Sequence, residues 1–336
     1  MRQKLVTTSC VAVSILTGGL LSPVPAAGQT SDGNWTLPRT PDGHPDLQGV
    51  WANNNATPLE RPEVWADKAT LSQEELAALE VAAQTAVGDG DALFGDQLVL
   101  AAIEGIEATS YDPTTGNYNQ FWIAERDFTS QTSLVIDPAD GRIPDVTSEA
   151  RERRRESAAY RGDHPADTYT DRPLQERCVS YGVPRLGAGY NSYSQMFQSA
   201  NHVVFMNEMI HDARVIPLTG QVHAPDAVRQ LHGDSRGRWE GDTLVVETTN
   251  YSSDATFRGS SDGLHMVERF TLVGPRTLNY EVTLTDSTVW TRPWTVLIPL
   301  MRSDEPMFEY ACHEGNIGMD GILAGHRAEE REAASK

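Results

Sequence analysis

Residues 201–251, NHVVFMNEMIHDARVIPLTGQVHAPDAVRQLHGDSRGRWEGDTLVVETTNY, decide how the chain is read. Two runs rich in apolar and β-branched residues, Val203–Ile216 and Thr243–Thr249, have strand character and flank a loop rich in His, Asp, Arg and Trp. Strands normally keep charge off a buried face, yet Glu208, His211, Asp212, Arg214 and Glu247 stand within or beside these runs. Either those side chains point to solvent or they line a polar cavity inside a closed sheet.

Alternate residues of a strand share a face. Read as one strand, Val204–Ile216 puts Glu208, Asp212 and Arg214 on one side and Asn207 and His211 on the other. Both faces are mixed, which suits a barrel with an apolar outer contact and a partly polar lumen. In Thr243–Tyr251, Glu247 and Tyr251 share one face and Asn250 lies on the other. Glu247 among valines reads as a lumen carboxylate with a raised pKa, or as one member of a solvated face. Asp234–Trp239 reads as a turn whose Arg236 and Trp239 form a rim that grips an anion or a ring.

From residue 178 to 312 the pattern is β throughout. The runs are Ser194–Phe197, Val203–Ile216, Thr243–Thr249, Leu264–Val273, Thr277–Leu284, Trp294–Leu300 and Met307–Cys312. Turn signals separate them, among them Glu240-Gly241-Asp242 and Gly274-Pro275. Such short spacing predicts an antiparallel meander, and seven or eight strands predict closure into a barrel, which removes the edges. Trp290-Thr291-Arg292-Pro293-Trp294 is either a ring-stacking site around Arg292 or, because proline marks edges and bends, a structural corner.

The first half differs. After a strand at Gly49-Val50-Trp51, Ser72-Gln73-Glu74-Glu75 is a capping box, with Leu76, Leu79 and Ala83 on one helical stripe. Gly88–Gly95 and Asp112–Gly116 are loop-forming clusters around the apolar run Leu98–Ile106. Thr132–Ile136 enters a Pro-Gly turn, and Thr147 caps a helix over Ser148–Tyr160 whose Arg and Glu residues alternate as a solvated face does. The expected architecture is a single mainly-β domain over 29–325, with a helix and loop insertion at about 60–175 and a charged tail, 326–336.

Met1–Gly28 carries the marks of a Sec-type signal: Arg2 and Lys4, an apolar run Leu5–Leu21, then small residues for cleavage. The expectation is a periplasmic or secreted protein with no membrane insertion after cleavage. Without Arg2 and Lys4, 47 acidic residues face 25 basic ones. That balance repels phosphate backbones and anionic lipid, so the expected partner is a small molecule rather than nucleic acid or a membrane surface. Export also removes Cys10 and leaves Cys178 and Cys312, an even pair in an oxidising compartment. A bridge between them closes a loop of about 130 residues and is worth roughly 4–5 kcal/mol by chain-entropy arithmetic.

PDLQGVW, RCVSYGVP, EMIHDARVIPL, GDSRGRWEGDTLVVETTNY, WTRPW and EYACHEGN together resemble a group of exported bacterial proteins with a lipocalin-like (calycin-type) β-barrel. Gly-x-Trp at the first strand is similar to the opening of lipocalin barrels, where the Trp plugs the closed end. The resemblance implies the fold and the compartment, but no catalytic residues.

Site candidates therefore rest on chemistry. In Glu309–Asn316 the bridge would hold His313 on a fixed support. His313, His211, Glu247 and Glu208 are the expected acid/base groups. Arg214, Arg236, Trp239, Asn250, Tyr251 and Arg292 are the expected substrate-binding groups. No HExxH, nucleotide-binding glycine motif or CxxCH is present, so no organic cofactor is expected. A metal enters only through His211, His313 and a carboxylate. Two readings of function follow. One is an exported enzyme that uses cavity acid/base residues for elimination, isomerisation or hydrolysis of a small molecule. The other is a lipocalin-like binding protein for an apolar or aromatic ligand.

Overall fold

The computed structural model describes residues 35–87, 93, 96–105, 125–255 and 257–336. The signal read at 1–28, the first part of the lead-in and the loop at 112–116 lie outside them. The strands are β1 (Gly49–Ala52), β2 (Val135–Asp137), β3 (Tyr193–Gln198), β4 (His202–Asn207), β5 (Ala213–Pro217), β6 (Asp234–Glu240), β7 (Thr243–Thr249), β8 (His265–Leu272), β9 (Thr277–Thr285) and β10 (Trp294–Ser303). The helices are α1 (Gln73–Ala86), α2 (Gln97–Glu104), α3 (Ser148–Asp163) and α4 (Gly318–Ala334).

All ten strands belong to one antiparallel sheet in the order β5-β4-β3-β1-β10-β9-β8-β7-β6. β9 covers one edge of β10, while β1 at Met301–Ser303 and β2 at Thr295–Val296 share the other. The mainly antiparallel β architecture is thus as expected, but the closed barrel is not. No ladder joins the end strands β5 and β6, although they come close: a Cβ on Gly237 would lie 3.0 Å from Ile216 Cγ2 and 2.6 Å from Leu218 Cδ2. The chain gives a reason. β5 ends at Pro217, which has no N–H to offer, and the long loop 218–233 brings β6 to the opposite edge without a hairpin turn to fix a register.

Two strand assignments also change. Val203–Ile216 is a hairpin rather than one strand. Met209–His211 forms a short 3-10 turn with Ile210 at φ +57° and His211 at φ +43°, and Asn207 N–H donates to the Asp212 carbonyl at 2.8 Å. The turn resets parity, so Asn207 and Arg214, expected on opposite faces, both face the interior. Asp234–Trp239, expected as a turn, is most of β6, whereas Met307–Cys312 has no strand structure.

One side of the sheet carries the core. Alternating residues of β8 and β9 are buried, with Phe270 stacked on Tyr280 at 4.7 Å. Phe205 of β4 meets Phe270 at 5.5 Å, so the interior is filled between strands far apart in the sheet order. Trp51 is fully buried, its Nε1–H donates to the Leu47 carbonyl at 2.9 Å, and the Arg302 guanidinium lies 5.0 Å from its ring. Burying such a ring is worth about 3 kcal/mol or more.

The capping box forms as read: Glu75 N–H donates to Ser72 Oγ and Ser72 N–H to Glu75 Oε2. It starts α1, whose Leu79 packs with Leu71 and Val99 in a satellite core. Thr147 caps α3 through the Ala150 N–H, and an exposed Arg153–Glu149 pair at 3.0 Å lies on its solvated face.

Candidate active site

A charged constellation lies in the interior. Arg214 of β5 donates to both oxygens of Glu268 of β8 at 2.7 and 2.8 Å, and Tyr280 OH donates to Glu268 Oε1 at 2.6 Å. Glu268 is fully buried and Arg214 is 5% exposed. Burial alone would favour loss of the guanidinium proton; the charge and hydrogen bonds of Glu268 outweigh it and hold the Arg214 pKa above its ordinary value. Burial, then the Glu268 charge, raises the Tyr280 phenol well above its usual range. Tyr251 is pushed up for the same reasons and faces Met266 in the core. Arg214 and Tyr251, expected as substrate contacts, both lie in the interior, Arg214 paired with Glu268.

Five other expected site residues also have partners within the protein. Glu247 lies on the outer face of β7, paired with His265 Nε2 at 2.7 Å, and that hydrogen bond lowers its pKa instead of raising it. Its neighbour along the strand, Val246, faces in, and Val245 is buried as well, so the apolar run around Glu247 belongs to a strand covered on both sides. Arg236 bonds Asp234 at 2.7 Å and the Val222 carbonyl. Trp239 stacks on His44 of the lead-in at 4.9 Å, and Asn250 Nδ2 pins the 218–233 loop at the Ala224 carbonyl. Arg292 forms an exposed pair with Asp137 at 2.8 Å, the corner reading of that motif, while Trp290 and Trp294 pack edge to face at 5.4 Å.

What the fold does gather lies at one place, around the Cys178–Cys312 disulfide, whose sulfurs are 2.01 Å apart. The bridge brings His313 to the β4–β5 turn, and the rings of His313 and His211 are 6.4 Å apart, both exposed. Glu208, 8% exposed, opens that turn, and its N–H donates to the Tyr193 carbonyl. Beneath the turn lies Asp212, 7% exposed. Its Oδ2 accepts from Ser180 Oγ at 3.0 Å and from Tyr181 N–H at 2.8 Å, and its Oδ1 is 3.4 Å from His232 Nε2.

Ser180 Oγ also lies 2.8 Å from His232 Nε2 and accepts from Gly182 N–H at 2.9 Å. With its proton given to Asp212 and both lone pairs engaged, this hydroxyl is saturated. Ser180 orients His232 and Asp212; it is not placed as a nucleophile. Arg185 stacks over Tyr181 at 4.2 Å and has no carboxylate within ion-pair distance among the described residues. Its Nε has no hydrogen-bond partner. Burial lowers its pKa, and the nearby charges of Asp212 and Glu208 only partly oppose that. Arg185 opens on a small cavity of about 20 Å³ lined also by Asn53, Ser194, Asn207, Arg214 and Tyr280. The side-chain Oδ1 of Asn53 in that wall is buried without a partner.

The backbone here is strained. Cys178 (φ +53°), Asn191 (φ +42°), Ile210 and His211 all adopt the left-handed conformation that non-glycine residues avoid, at roughly 1–2 kcal/mol each. Ile210, β-branched and buried, is the most costly of them. Such strain persists only where the surroundings over-determine it, and it clusters at working sites.

Ser180, Asp212, His232 and Arg185 were not legible as a group. Their separations of 32 and 52 residues follow no period, and the one pointer was that Ser180 stands two residues from Cys178. No family model matches the chain, and no curated protein or solved structure matches it significantly.

Proposed function

We propose that this is an exported enzyme without an organic cofactor, acting by acid/base chemistry on a small molecule that carries an anionic group. The supporting observation is the meeting of His211 and His313 over the buried Asp212–Ser180–His232 network on strained backbone. Two imidazoles on opposite sides of a substrate are suited to remove one proton and return another, the requirement of elimination and isomerisation and, with water, of hydrolysis. Glu208 and Asp212 supply negative charge that steadies an imidazolium as it forms. Arg185, which has no carboxylate mate among the described residues and whose Nε lacks a hydrogen bond, is the natural partner for a substrate carboxylate or a developing oxyanion.

The carrier reading has less support. Pockets for apolar ligands span roughly 300–1,000 Å³. Here the interior is occupied by Phe205, Phe270, Tyr280 and the Arg214–Glu268 pair, and the cavity between Arg185 and Arg214 is about 20 Å³.

The test is solvent exchange. The mature protein in D₂O is incubated with a panel of small hydroxy- and keto-acids, and deuterium uptake or product formation is followed by NMR. Substrates found this way should lose about 100-fold or more in rate with His211→Gly or His313→Ala, the scale of general acid–base catalysis. His211→Gly removes the imidazole at a residue with φ +43°, so the variant should be at least as stable as the parent in urea. A panel with no exchange or turnover, or variants as fast as the parent, refutes the proposal.

A further inference from the structure

We infer that the C-terminal helix carries a divalent transition-metal site, formed by Asp167, His326 and Glu330, that fastens α4 to the loop after α3. This site is separate from the His211–His313 region and does not depend on the function proposed above.

The three residues each offer one ligand atom, and those atoms all lie within 4.8 Å of one another. His326 and Glu330 stand four residues apart on α4 and so share a helix face. His326 Nε2 is 3.3 Å from Asp167 Oδ1 and 3.6 Å from Glu330 Oε1. Ligand atoms about 2.0–2.1 Å from a tetrahedral zinc are about 3.3–3.4 Å apart, so a cation fits between these groups with small rotations of the side chains.

The groups around them are placed as an outer shell would be. Each carboxylate keeps one oxygen for the centre while a neighbour holds the other. His164 Nδ1 lies 2.7 Å from Asp167 Oδ2, and Arg327 Nε lies 3.0 Å from Glu330 Oε2. The second nitrogen of His326 lies 3.7 Å from Oε2 of the exposed Glu329, an ion-pair distance that needs a small rotation of Glu329 to become a hydrogen bond. Arg327 Nη2 approaches Asp167 Oδ1 at 3.8 Å and donates to the Ala166 carbonyl at 3.1 Å, so it clamps the same loop without occupying the centre. The His326 side chain is only 16% exposed, so its ring is held at the joint rather than free in solvent. One imidazole and two carboxylates with an open fourth position suit zinc, which a water completes.

The probe is zinc chloride, with the mature protein first stripped by chelator and dialysed. Titration calorimetry should show one zinc per chain, and cobalt substituted for zinc should show the visible absorption of a tetrahedral centre. His326→Gln keeps the volume and the helix, and should weaken binding by at least 10-fold, with Asp167→Asn doing the same. Zinc should also slow proteolysis at α4 in the parent and not in His326→Gln. Far-UV circular dichroism equal to the parent separates ligand loss from unfolding. No stoichiometric binding overturns the inference. So does binding that His326→Gln and Asp167→Asn leave unchanged, since zinc would then sit elsewhere, for example at His211 and His313.

Discussion

Removing the carboxylate of Glu268 is the perturbation the structure answers most sharply. Glu268 is fully buried, and it is the sole partner of both terminal nitrogens of Arg214 apart from a long contact to Ser235 at 3.5 Å. The pair joins β5, an end strand, to β8, six places away in the sheet order, so it fastens the curl of the sheet. Glu268→Gln leaves a guanidinium in the core without its counter-charge, at a cost of about 3–5 kcal/mol. Arg214→Met leaves a buried carboxylate and costs a similar amount. The double variant Arg214→Met/Glu268→Leu removes both charges and keeps most of the volume. It should sit within about 2 kcal/mol of the parent, because desolvating the pair offsets most of the attraction. Tyr280 OH loses its acceptor in that variant, an added penalty of about 1 kcal/mol that Tyr280→Phe removes. Urea unfolding by circular dichroism gives the three free energies and their coupling. A Glu268→Gln cost below about 1 kcal/mol would refute the reasoning, since the pair would then be solvated. So would a double variant as unstable as the two singles summed.

Three further outcomes follow from other parts of the fold. Cys178→Ser/Cys312→Ser opens a loop spanning 134 positions and should lower stability by up to about 5 kcal/mol, with reductant shifting the parent to the variant's urea midpoint and leaving the variant unmoved; a parent indifferent to complete reduction contradicts this. Gly237→Val drives a side chain into Ile216, which is fully buried and branched, and should cost about 1–3 kcal/mol, whereas Gly274→Ala, with open space around it, should stay within about 0.5 kcal/mol of the parent; equal effects would mean that β5 and β6 do not pack. Burial by itself would raise the Asp234 pKa, but the Ala224 N–H, His223 and Arg236 outweigh it and hold the carboxyl below its usual range. Its contribution is then complete above about pH 4, the ordinary carboxylate value, and is lost as pH falls through the lower folded value. The stability gap between parent and Asp234→Asn should accordingly be smaller at pH 3 than at pH 7, and an identical gap at both would sink the assignment.

Local signals in the chain were strong enough to be read directly. Ser72–Glu75 and Thr147 state their helix starts because a capping side chain meets its own backbone within three residues. β7, β8 and β9 follow from alternation and turn residues, and the Cys178–Cys312 pair from the even number of cysteines left once the expected signal is set aside. His211, His313 and Glu208 were named from sequence and meet in space, since the bridge dictates their meeting.

Other features depended on contacts no local pattern records. The β4–β5 turn uses Ile210 and His211 in the left-handed region, with no glycine or asparagine to announce it; tertiary packing imposes it against local preference. That turn put Arg214 on the inner face, where Glu268 awaited it, and left Asp212 under the turn with Ser180 and His232. Glu247 read as a lumen acid because its neighbours are valines, but the outer face of β7 pairs it with His265. Sequence by itself determined the antiparallel β character, the helix starts and the cysteine pairing, each set by neighbours along the chain or by composition. The tertiary structure alone decided that the sheet stays open and that charge in its interior is spent on an ion pair. It also decided which histidines stand together, because each of these depends on which distant strands come to lie face to face.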